Sequence, residues 1–516
     1  MGIIARQSIK GTAVTYIGVA VGFLTTFFVL TRFLTAEEIG LARVLIDAAT
    51  LFASLAQLGT SASIIRFYPY FQTAKSPSDS PFPLKGRAGE GSSSLDNGFW
   101  FWTLIVPLVG FALFTLLYIV CRAPLNGWFG EKSPLFVDYY YFIIPMAFCM
   151  LYQAVFETSS NVKMRIVVPR AVRELIVRIG LLACYLLYAF RFLSLDGFVV
   201  ALCLNYGVAA LINIIYLIAY SHPSWRPDFA FLRAHRPLVR DYLFYTGFLF
   251  ISAVASAVAP MLSSFFITAK MGLDYTGIFA IATYIAVMVS IPYRSLTAIA
   301  SPQLAGAIKN NDREQMRTLM QQVSGNTLLV GIAILLAIWI NIDLIFHLLP
   351  NGSTYAAART TILILGVSQL IMATFSIHLT ALNFSRYYIV TLLYSVVLTA
   401  SSIALNNHLI PRYGINGAAL SNMLSYILYY TLIVATQSGT MRVSPFSRKM
   451  FVMLILGASM LILNEIWCQY LHLDNIWADS ICRSVLLLGI FLYEAYKLQL
   501  SPQINALLHQ IFIQRH

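Results

Sequence analysis

Residues 100–121 read WFWTLIVPLVGFALFTLLYIVC, a run of twenty-two positions without one charged side chain. An α-helix rises about 1.5 Å per residue, so a run of this length covers about 30 Å, which is the thickness of the hydrocarbon layer of a bilayer. The run therefore predicts a transmembrane helix. Similar runs recur on both sides of it, along most of the chain.

The composition indicates that the whole chain is a membrane protein. Of its 516 residues, 59% are hydrophobic and only 11% are charged, whereas soluble domains are about 45–50% apolar and about 25% charged. The 34 Lys and Arg and 21 Asp and Glu are too few to cover a soluble protein of this length. A polytopic all-α membrane protein is expected, and a soluble enzyme is excluded.

Fourteen runs of about 20 mostly apolar residues predict fourteen transmembrane helices, numbered in chain order. The first seven are Gly11–Thr31, Ala42–Ala62, Trp100–Cys121, Leu135–Phe156, Ala171–Phe190, Gly197–Tyr220 and Tyr242–Thr268. The second seven are Asp274–Tyr293, Gly325–Leu348, Thr360–Phe384, Tyr388–Asn407, Asn416–Gln437, Met450–Leu471 and Ser480–Leu500. Helix 1 is longer than the core of a signal peptide and lacks a small-residue cleavage site, so we expect it to remain as a membrane helix.

Lysine and arginine predict the orientation of these helices. With the N-terminus in the cytoplasm, 22 of them fall in inside segments and 8 in outside segments, so both termini are expected to be cytoplasmic. This distribution accounts for the net charge of +13 without nucleic acid as a partner. The Ser-, Pro- and Gly-rich segment 72–98 is expected to be a disordered cytoplasmic loop. Asn310–Gln322 is expected to be an amphipathic helix in another cytoplasmic loop.

Two turn motifs recur six helices apart and suggest an internal repeat. In the first motif, helices 1 and 7 are each followed by a basic residue, an acid, and a glycine three positions after that acid. In the second motif, a turn that contains glycine precedes helices 6 and 12. The matching segments are Arg32–Gly40 with Lys270–Gly277, and Leu195–Gly197 with Tyr413–Ala419. Chance recurrence of turns with glycine in short loops is the alternative. The repeat predicts six-helix bundles in 1–241 and 242–441, with two appended helices and a cytoplasmic tail in 442–516.

Helices 1 and 7 carry small, weakly polar residues at helical spacing. Those of helix 1 are Thr15, Gly18, Gly22 and Thr25, and those of helix 7 are Ser252, Ser256, Pro260 and Ser263. One interpretation is close helix packing through small residues. The other, favoured because the two helices correspond in the repeat, is a pair of bendable helices that line a hydrated cleft, with Pro260 as a hinge.

Three motifs resemble those of the polysaccharide flippase family of the multidrug/oligosaccharidyl-lipid/polysaccharide exporter superfamily. They are Arg32-x-Leu34-x-x-Glu37-x-x-Gly40, Leu58-Gly59 followed by Arg66, and Tyr413-Gly414-Ile415-x-Gly417-Ala418-Ala419. The resemblance implies a V-shaped pair of six-helix bundles around a central cavity. It also implies transport, by alternating access, of an undecaprenyl-pyrophosphate-linked oligosaccharide across a bacterial inner membrane, for O-antigen, lipopolysaccharide, capsule or exopolysaccharide biosynthesis.

The resemblance further implies the partners. A lipid-linked oligosaccharide is the expected substrate, membrane lipids are the surroundings, and a polysaccharide polymerase and a chain-length regulator are candidate partners of a monomeric transporter. No cofactor and no catalytic residue are expected. No metal site is expected either, because the six cysteines form no Cys-x-x-Cys pair and Asp343 and His347 alone are too few ligands.

Basic residues inside the predicted helices are the candidate ligands of the pyrophosphate. Arg178 lies deepest, about seven residues into helix 5, and Arg173 and Glu174 precede it. A charge in the hydrocarbon is costly, so a surplus arginine that faces a cavity favours a site for an anionic lipid. The alternative is a structural ion pair between Glu174 and Arg178. Arg66 and Arg294 at the inner ends of helices 2 and 8 are further candidates, with snorkelling to headgroups as their alternative.

Other polar residues in the helices have separate interpretations. Asp47 in helix 2 is the candidate for coupling transport to an ion gradient, although Arg43, one turn earlier, favours a salt pair. His378 in helix 10 is expected to be a hydrogen-bonded core residue. Glu465 and Glu494 are expected to face polar neighbours.

Three other functions are the alternatives to a flippase. A cation-coupled multidrug antiporter of the same superfamily is expected to carry acids in its cavity, whereas the surplus within the first-half helices is basic. A membrane polysaccharide polymerase or ligase would need a large outside loop, and the longest one, Arg122–Pro134, is short. A channel would need a selectivity motif. The sequence therefore favours a flippase and not an enzyme.

Overall fold

The computed structural model describes most of the chain. The described residues are 14, 15, 17–61, 63, 64, 68, 99–163, 165, 167–221, 227, 236, 240, 242, 246, 247, 250, 258–441, 446–471, 473–501 and 505. The predicted loop 72–98 and the candidate residues Arg66, Ser252 and Ser256 lie outside this set.

The described residues form helices and contain no strand. Among them, ten helices are long and apolar enough to cross a membrane by length and composition. One of the ten, Tyr388–Thr440, is divided in two at Gly414, and the shorter apolar helix Ile17–Phe33 adds a further candidate. The predicted all-α polytopic class, with about fourteen transmembrane helices, is confirmed.

The chain divides into two compact units, Met1–Met261 and Leu262–His516. The first contains α1 (Ile17–Phe33), α2 (Ala36–Ala56), α3 (Phe99–Val120), α4 (Tyr140–Val162), α5 (167–189) and α6 (Leu195–Ser221). The second contains α7 (Leu262–Lys270), α8 (273–309), α9 (Arg313–Ile340), α10 (Arg359–Phe384), α11 and α12 (Tyr388–Thr440, divided at Gly414), α13 (Arg448–Tyr470) and α14 (Ile476–Lys497). The boundary lies within predicted helix 7. A separate part made of residues 442–516 stays a prediction.

α2 begins at Ala36, six residues before its predicted start. The Glu38 N–H donates to the Thr35 hydroxyl at 3.2 Å, and the Thr35 N–H donates to the Glu38 carboxylate at 2.8 Å. This reciprocal capping box satisfies two N–H groups that would otherwise lack a partner. The helix stops before Leu58 and Gly59, whose φ values of 48° and 76° are incompatible with a continuing right-handed helix.

α9 begins at Arg313, where the Asp312 carboxylate accepts a hydrogen bond from the Gln315 N–H at 3.0 Å. It then continues to Ile340. The predicted loop helix Asn310–Gln322 is therefore wrong as a separate element, because it contains the first turns of α9. Met316 and Met320 on those turns are buried in an apolar cluster with α8 and α10, which stabilises the extension.

Two helices of the first unit contain a π-helical turn. It spans Thr25–Leu30 in α1 and Val172–Ile176 in α5. A π-helical turn accommodates an extra residue, and such turns are frequent at functional sites. α5 and α1 contact each other, as described below.

Candidate functional site

Two arginines and two glutamates form a charged cluster on α4 and α5. Arg173 donates from Nη1 to Glu157 Oε1 at 2.7 Å, and its Nε lies 3.3 Å from Glu174 Oε1. Arg178 donates from Nη2 to Glu174 Oε2 at 3.1 Å. Glu174 therefore lies between the two arginines, and Glu157 of α4 completes the cluster.

A π-helical turn lies between the two arginines of α5. The Val177 N–H donates to the Val172 carbonyl, five residues earlier, instead of the usual four. Positions 173 and 178 would point well apart on a regular α-helix of about 3.6 residues per turn. The wider turn brings them toward one face, with Glu174 between them.

Arg178 also contacts α1. Its Nη1 donates to the Gly18 carbonyl oxygen at 2.8 Å. A Cβ atom at Gly22 would lie 2.9 Å from the same Nη1, and one at Gly18 would clash with the backbone oxygen of Glu174. In this structure the two glycines thus let α1 approach α5 and leave the space that the guanidinium group fills.

The numbers of positive and negative side chains in the cluster are more nearly equal than the sequence of predicted helix 5 alone indicated. On that helix one acid, Glu174, stands against Arg173 and Arg178, but α4 adds Glu157. The side chains of Arg173 and Arg178 are nevertheless 49% and 31% exposed, whereas those of the two glutamates are largely buried. The arginine side chains are therefore the more exposed members of the cluster, and the glutamate side chains are the more buried ones.

Glu157 was not among the predicted site residues because of a helix boundary. Predicted helix 4 ended at Phe156, one residue too early to include this acid, whereas α4 continues to Val162. Glu157 could have been identified from its position directly after an apolar run, because a buried acid requires a partner.

The remaining first-unit candidates have local partners. Asp47 accepts a hydrogen bond from Arg43 Nε at 2.8 Å, and its side chain is nearly buried. Thr25 is buried and donates to the Val21 carbonyl at 2.8 Å. Thr15 is half-buried.

The candidates near and within the second unit occupy different surroundings. Arg294 is exposed on α8. Pro260 is exposed in the turn that precedes α7. Ser263 on α7 is buried, and its hydroxyl lies 3.1 Å from Asn406 Oδ1 and 3.2 Å from Asn422 Oδ1, on α11 and α12.

Other charged or titratable side chains of the second unit also have partners. His378 is fully buried between Gln437 Oε1, 2.8 Å from Nδ1, and the Ser324 hydroxyl, 3.0 Å from Nε2. Trp339 donates to Glu465 at 3.0 Å. Asp343 forms an ion pair with Arg359 at 3.1 Å, and Asp479 forms one with Arg483 at 2.7 Å. Across the described ranges, no three His, Cys, Asp or Glu side chains are grouped so that they could hold a metal ion.

Comparisons with known proteins identify the fold and the family of this chain. The solved structures that it resembles include the lipid II flippase MurJ in an inward closed conformation, with a TM-score of 0.70 and 14% identity over 95% of this chain and 99% of that one. An inward-facing multidrug resistance MATE family transporter of the MOP superfamily matches with a TM-score of 0.60 and 12% identity, over 86% of this chain and 96% of that one. The MATE transporter VcmN of Vibrio cholerae matches with a TM-score of 0.57 and 15% identity, over 85% and 98%.

Sequence comparison supplies the family. No curated protein sequence matches the chain. A family model described as polysaccharide biosynthesis protein matches residues 5–305, which is more than half of the chain. The fold is that of membrane flippases and transporters and not of an enzyme, which confirms the resemblance noted from the turn motifs. The chain therefore belongs to the polysaccharide biosynthesis protein family.

Proposed function

We propose that the protein is a flippase that carries an undecaprenyl-pyrophosphate-linked oligosaccharide from the inner to the outer leaflet of a bacterial inner membrane, for O-antigen, capsule or other polysaccharide assembly. The family match supports a role in polysaccharide biosynthesis, and the fold resembles a lipid II flippase. The choice of an anionic lipid rests on the pair of partly exposed arginines of α5, Arg173 and Arg178, of which Arg178 contacts α1.

Arg178 would bind the pyrophosphate by exchange of partners. Its guanidinium group is a planar fork with five N–H donors, which matches phosphate oxygens. In this structure its Nη1 donates to the Gly18 carbonyl and its Nη2 donates to Glu174. A pyrophosphate offers more negative charge and more acceptor oxygens than either partner, so it competes with both. Arg173 adds a second positive group.

The exchange would link substrate binding to movement of α1. When Arg178 turns to the pyrophosphate, the hydrogen bond to Gly18 is lost, and one of the contacts that hold α1 against α5 is removed. The π-helical turn Thr25–Leu30 gives α1 a place to bend. We assign α1 as the moving helix of an alternating-access cycle and Pro260, before α7, as the corresponding hinge. Arg66 and Arg294 remain further candidate ligands, and Asp47 remains the candidate for ion coupling.

Transport by the purified protein in liposomes tests the proposal. The measurement is the rate at which a lipid-linked oligosaccharide becomes accessible to a lectin on the opposite side. We expect Arg178→Ala to lower this rate about 10- to 100-fold, the loss expected for one charge-assisted contact. Arg178→Lys should retain part of the rate, because the charge stays and the fork is lost. Arg359→Gln removes a comparably exposed, ion-paired arginine from the second unit and should leave the rate unchanged.

Two outcomes would contradict this assignment. Normal transport by folded Arg178→Ala would remove Arg178 as a ligand, and full recovery in the double variant Arg178→Ala/Glu174→Ala would leave only a structural pair. The alternative function is tested in the same liposomes with a cationic dye and an imposed proton or sodium gradient. Dye export without lipid transport would replace the flippase by a multidrug antiporter.

A further inference from the structure

A lysine at the end of α7 joins this helix to α11. Lys270, the last residue of α7, donates from Nζ to Asn407 twice, to the side-chain oxygen Oδ1 at 2.7 Å and to the backbone carbonyl oxygen at 3.0 Å. Helical side chains point toward the N-terminus of their helix, so the ammonium group reaches back along α7 to α11. Both residues belong to the second unit.

Pro411 explains why the Asn407 carbonyl is open to the lysine. In an α-helix each carbonyl accepts from the N–H group four residues later, and position 411 inside α11 is a proline, which has no N–H. A backbone carbonyl without a donor costs free energy when it is away from water. The Lys270 ammonium group therefore supplies the donor that the proline removes.

The turn that follows α7 also contacts the end of α11. A Cβ atom at Gly414, where α11 and α12 divide, would lie 3.1 Å from the terminal methyl carbon of Met271. The segments Lys270–Gly277 and Tyr413–Ala419, which the sequence marks as separate turn motifs, therefore meet in the second unit. Their meeting point is the end of α7, which in the predicted orientation is its outer end.

The first unit has a related contact that is built differently. Arg178 of α5 donates to the Gly18 carbonyl of α1, and the predicted repeat pairs α1 with α7 and α5 with α11. The residue four positions after Gly18 is Gly22, whose N–H group can serve that carbonyl when Arg178 leaves. The Asn407 carbonyl has no such donor when Lys270 leaves. The contact in the first unit is therefore exchangeable, and the contact in the second unit is costly to open.

We propose that Lys270 is a strap that fixes the outer end of α7 to α11, and that Pro411 keeps the strap closed. Any movement of α7 then turns about this end, whereas α1 gives up its contact with Arg178 when a ligand competes for the guanidinium group. The strap itself follows from contacts within the second unit. Its role as the pivot of α7 during transport rests on the proposed function.

Hydrogen–deuterium exchange of the full-length protein in lipid nanodiscs tests the strap. The amides of Met271 and Gly272 both donate to the Ile267 carbonyl and report on the last turn of α7. We expect Lys270→Met to speed their exchange about tenfold or more, as for the loss of one charge-assisted hydrogen bond. Lys270→Arg keeps the charge and should retain most of the protection. Arg32→Met is the matched control, because Arg32 at the end of α1 lies over the ring of the next residue and should leave this exchange unchanged.

A double variant tests the part played by the proline. Pro411→Ala restores the missing N–H group, so Lys270→Met should speed exchange much less in that background. Pro302→Ala, inside α8, is the control and should leave the effect of Lys270→Met unchanged. Asn407→Ala removes Oδ1 and keeps the backbone carbonyl, so Lys270→Met should still speed exchange there.

Three results would overturn the strap. They are unchanged exchange in folded Lys270→Met, an equal effect of Lys270→Met with proline and with alanine at position 411, and loss of the effect in Asn407→Ala. The exchange is measured without substrate, so these results do not bear on the proposed function. Normal transport by Lys270→Met in the liposome assay, together with faster exchange, would overturn the pivot alone. Absence of lipid transport by the unchanged protein would overturn the proposed function and leave the strap.

Discussion

Gly18 and Gly22 lie one turn apart on α1 and face different obstacles on α5. A methyl group at Gly18 would meet the backbone oxygen of Glu174, which cannot move without its helix, whereas one at Gly22 would meet the movable end of Arg178. We expect Gly18→Ala to lower stability by about 1–3 kcal/mol through overpacking. Gly22→Ala should fold normally but transport more slowly, because it displaces Arg178. Thermal unfolding and the liposome assay measure the two effects.

Gly306 on α8 is the control for these glycines. A methyl group there would meet nothing within 4 Å. Gly306→Ala should therefore be neutral, or stabilising by up to about 1 kcal/mol through helix propensity. Equal losses of stability in Gly18→Ala and Gly22→Ala would contradict the distinction between a rigid and a movable obstacle.

Individual residues also show which charged groups could be predicted from the sequence and which could not. Arg173, Glu174 and Arg178 were recognisable because charges stand out inside an apolar run. Glu157 and Asp479 were missed, since each lies one residue outside a predicted helix end, at Phe156 and Ser480. The partner of Glu157 could not be read from the chain, because its contact with Arg173 depends on the packing of α4 against α5. The pair of Asp479 with Arg483 has the readable spacing of four residues within one helix.

At the scale of elements, a buried ion pair joins α13 and α14. Asp479 and Arg483 on α14 are 2% and 3% exposed. From α13, Trp467 Nε1 donates to Asp479 at 3.0 Å and Asn464 accepts from Arg483 at 3.3 Å. Arg483→Ala would leave a buried carboxylate without its partner and should destabilise the protein by about 3–5 kcal/mol.

The matched variant replaces both charges. Asp479→Leu/Arg483→Met leaves no uncompensated charge, so it should recover most of the lost stability. Thermal unfolding of the detergent-purified variants measures this difference. A double variant as unstable as Arg483→Ala would mean that the pair is not what holds the two helices.

The helices themselves were largely predictable, and their ends were not. Apolar runs indicate where a segment must be covered by lipid or protein, which decides that α3, α6 and α10 exist. Apolar runs do not predict which polar residues extend a helix beyond the hydrocarbon layer. The capping box at Thr35 and Glu38 starts α2 earlier, and buried Met316 and Met320 extend α9.

For the whole molecule, the orientation in the membrane is the prediction that remains to be measured. We expect a cysteine in place of Ser93, in the segment 72–98, to react with an impermeant maleimide only after the cells are permeabilised. A cysteine in place of exposed Lys132, between α3 and α4, should react in intact cells. Native Cys482 is exposed and is first replaced by serine. The opposite pattern of labelling would invert the topology.

The break at Gly414 determines how much of the connection between α11 and α12 is accessible from outside the cell. With φ 57° and ψ −136°, Gly414 has a backbone that other residues rarely adopt, and the Ser421 hydroxyl lies 3.3 Å from the Ser402 carbonyl. α11 and α12 are therefore packed against each other almost up to the turn. In the predicted orientation this turn faces outward and offers an antibody or a phage hardly any loop to recognise. An epitope tag for detection on living cells belongs instead in the longer connection between α3 and α4.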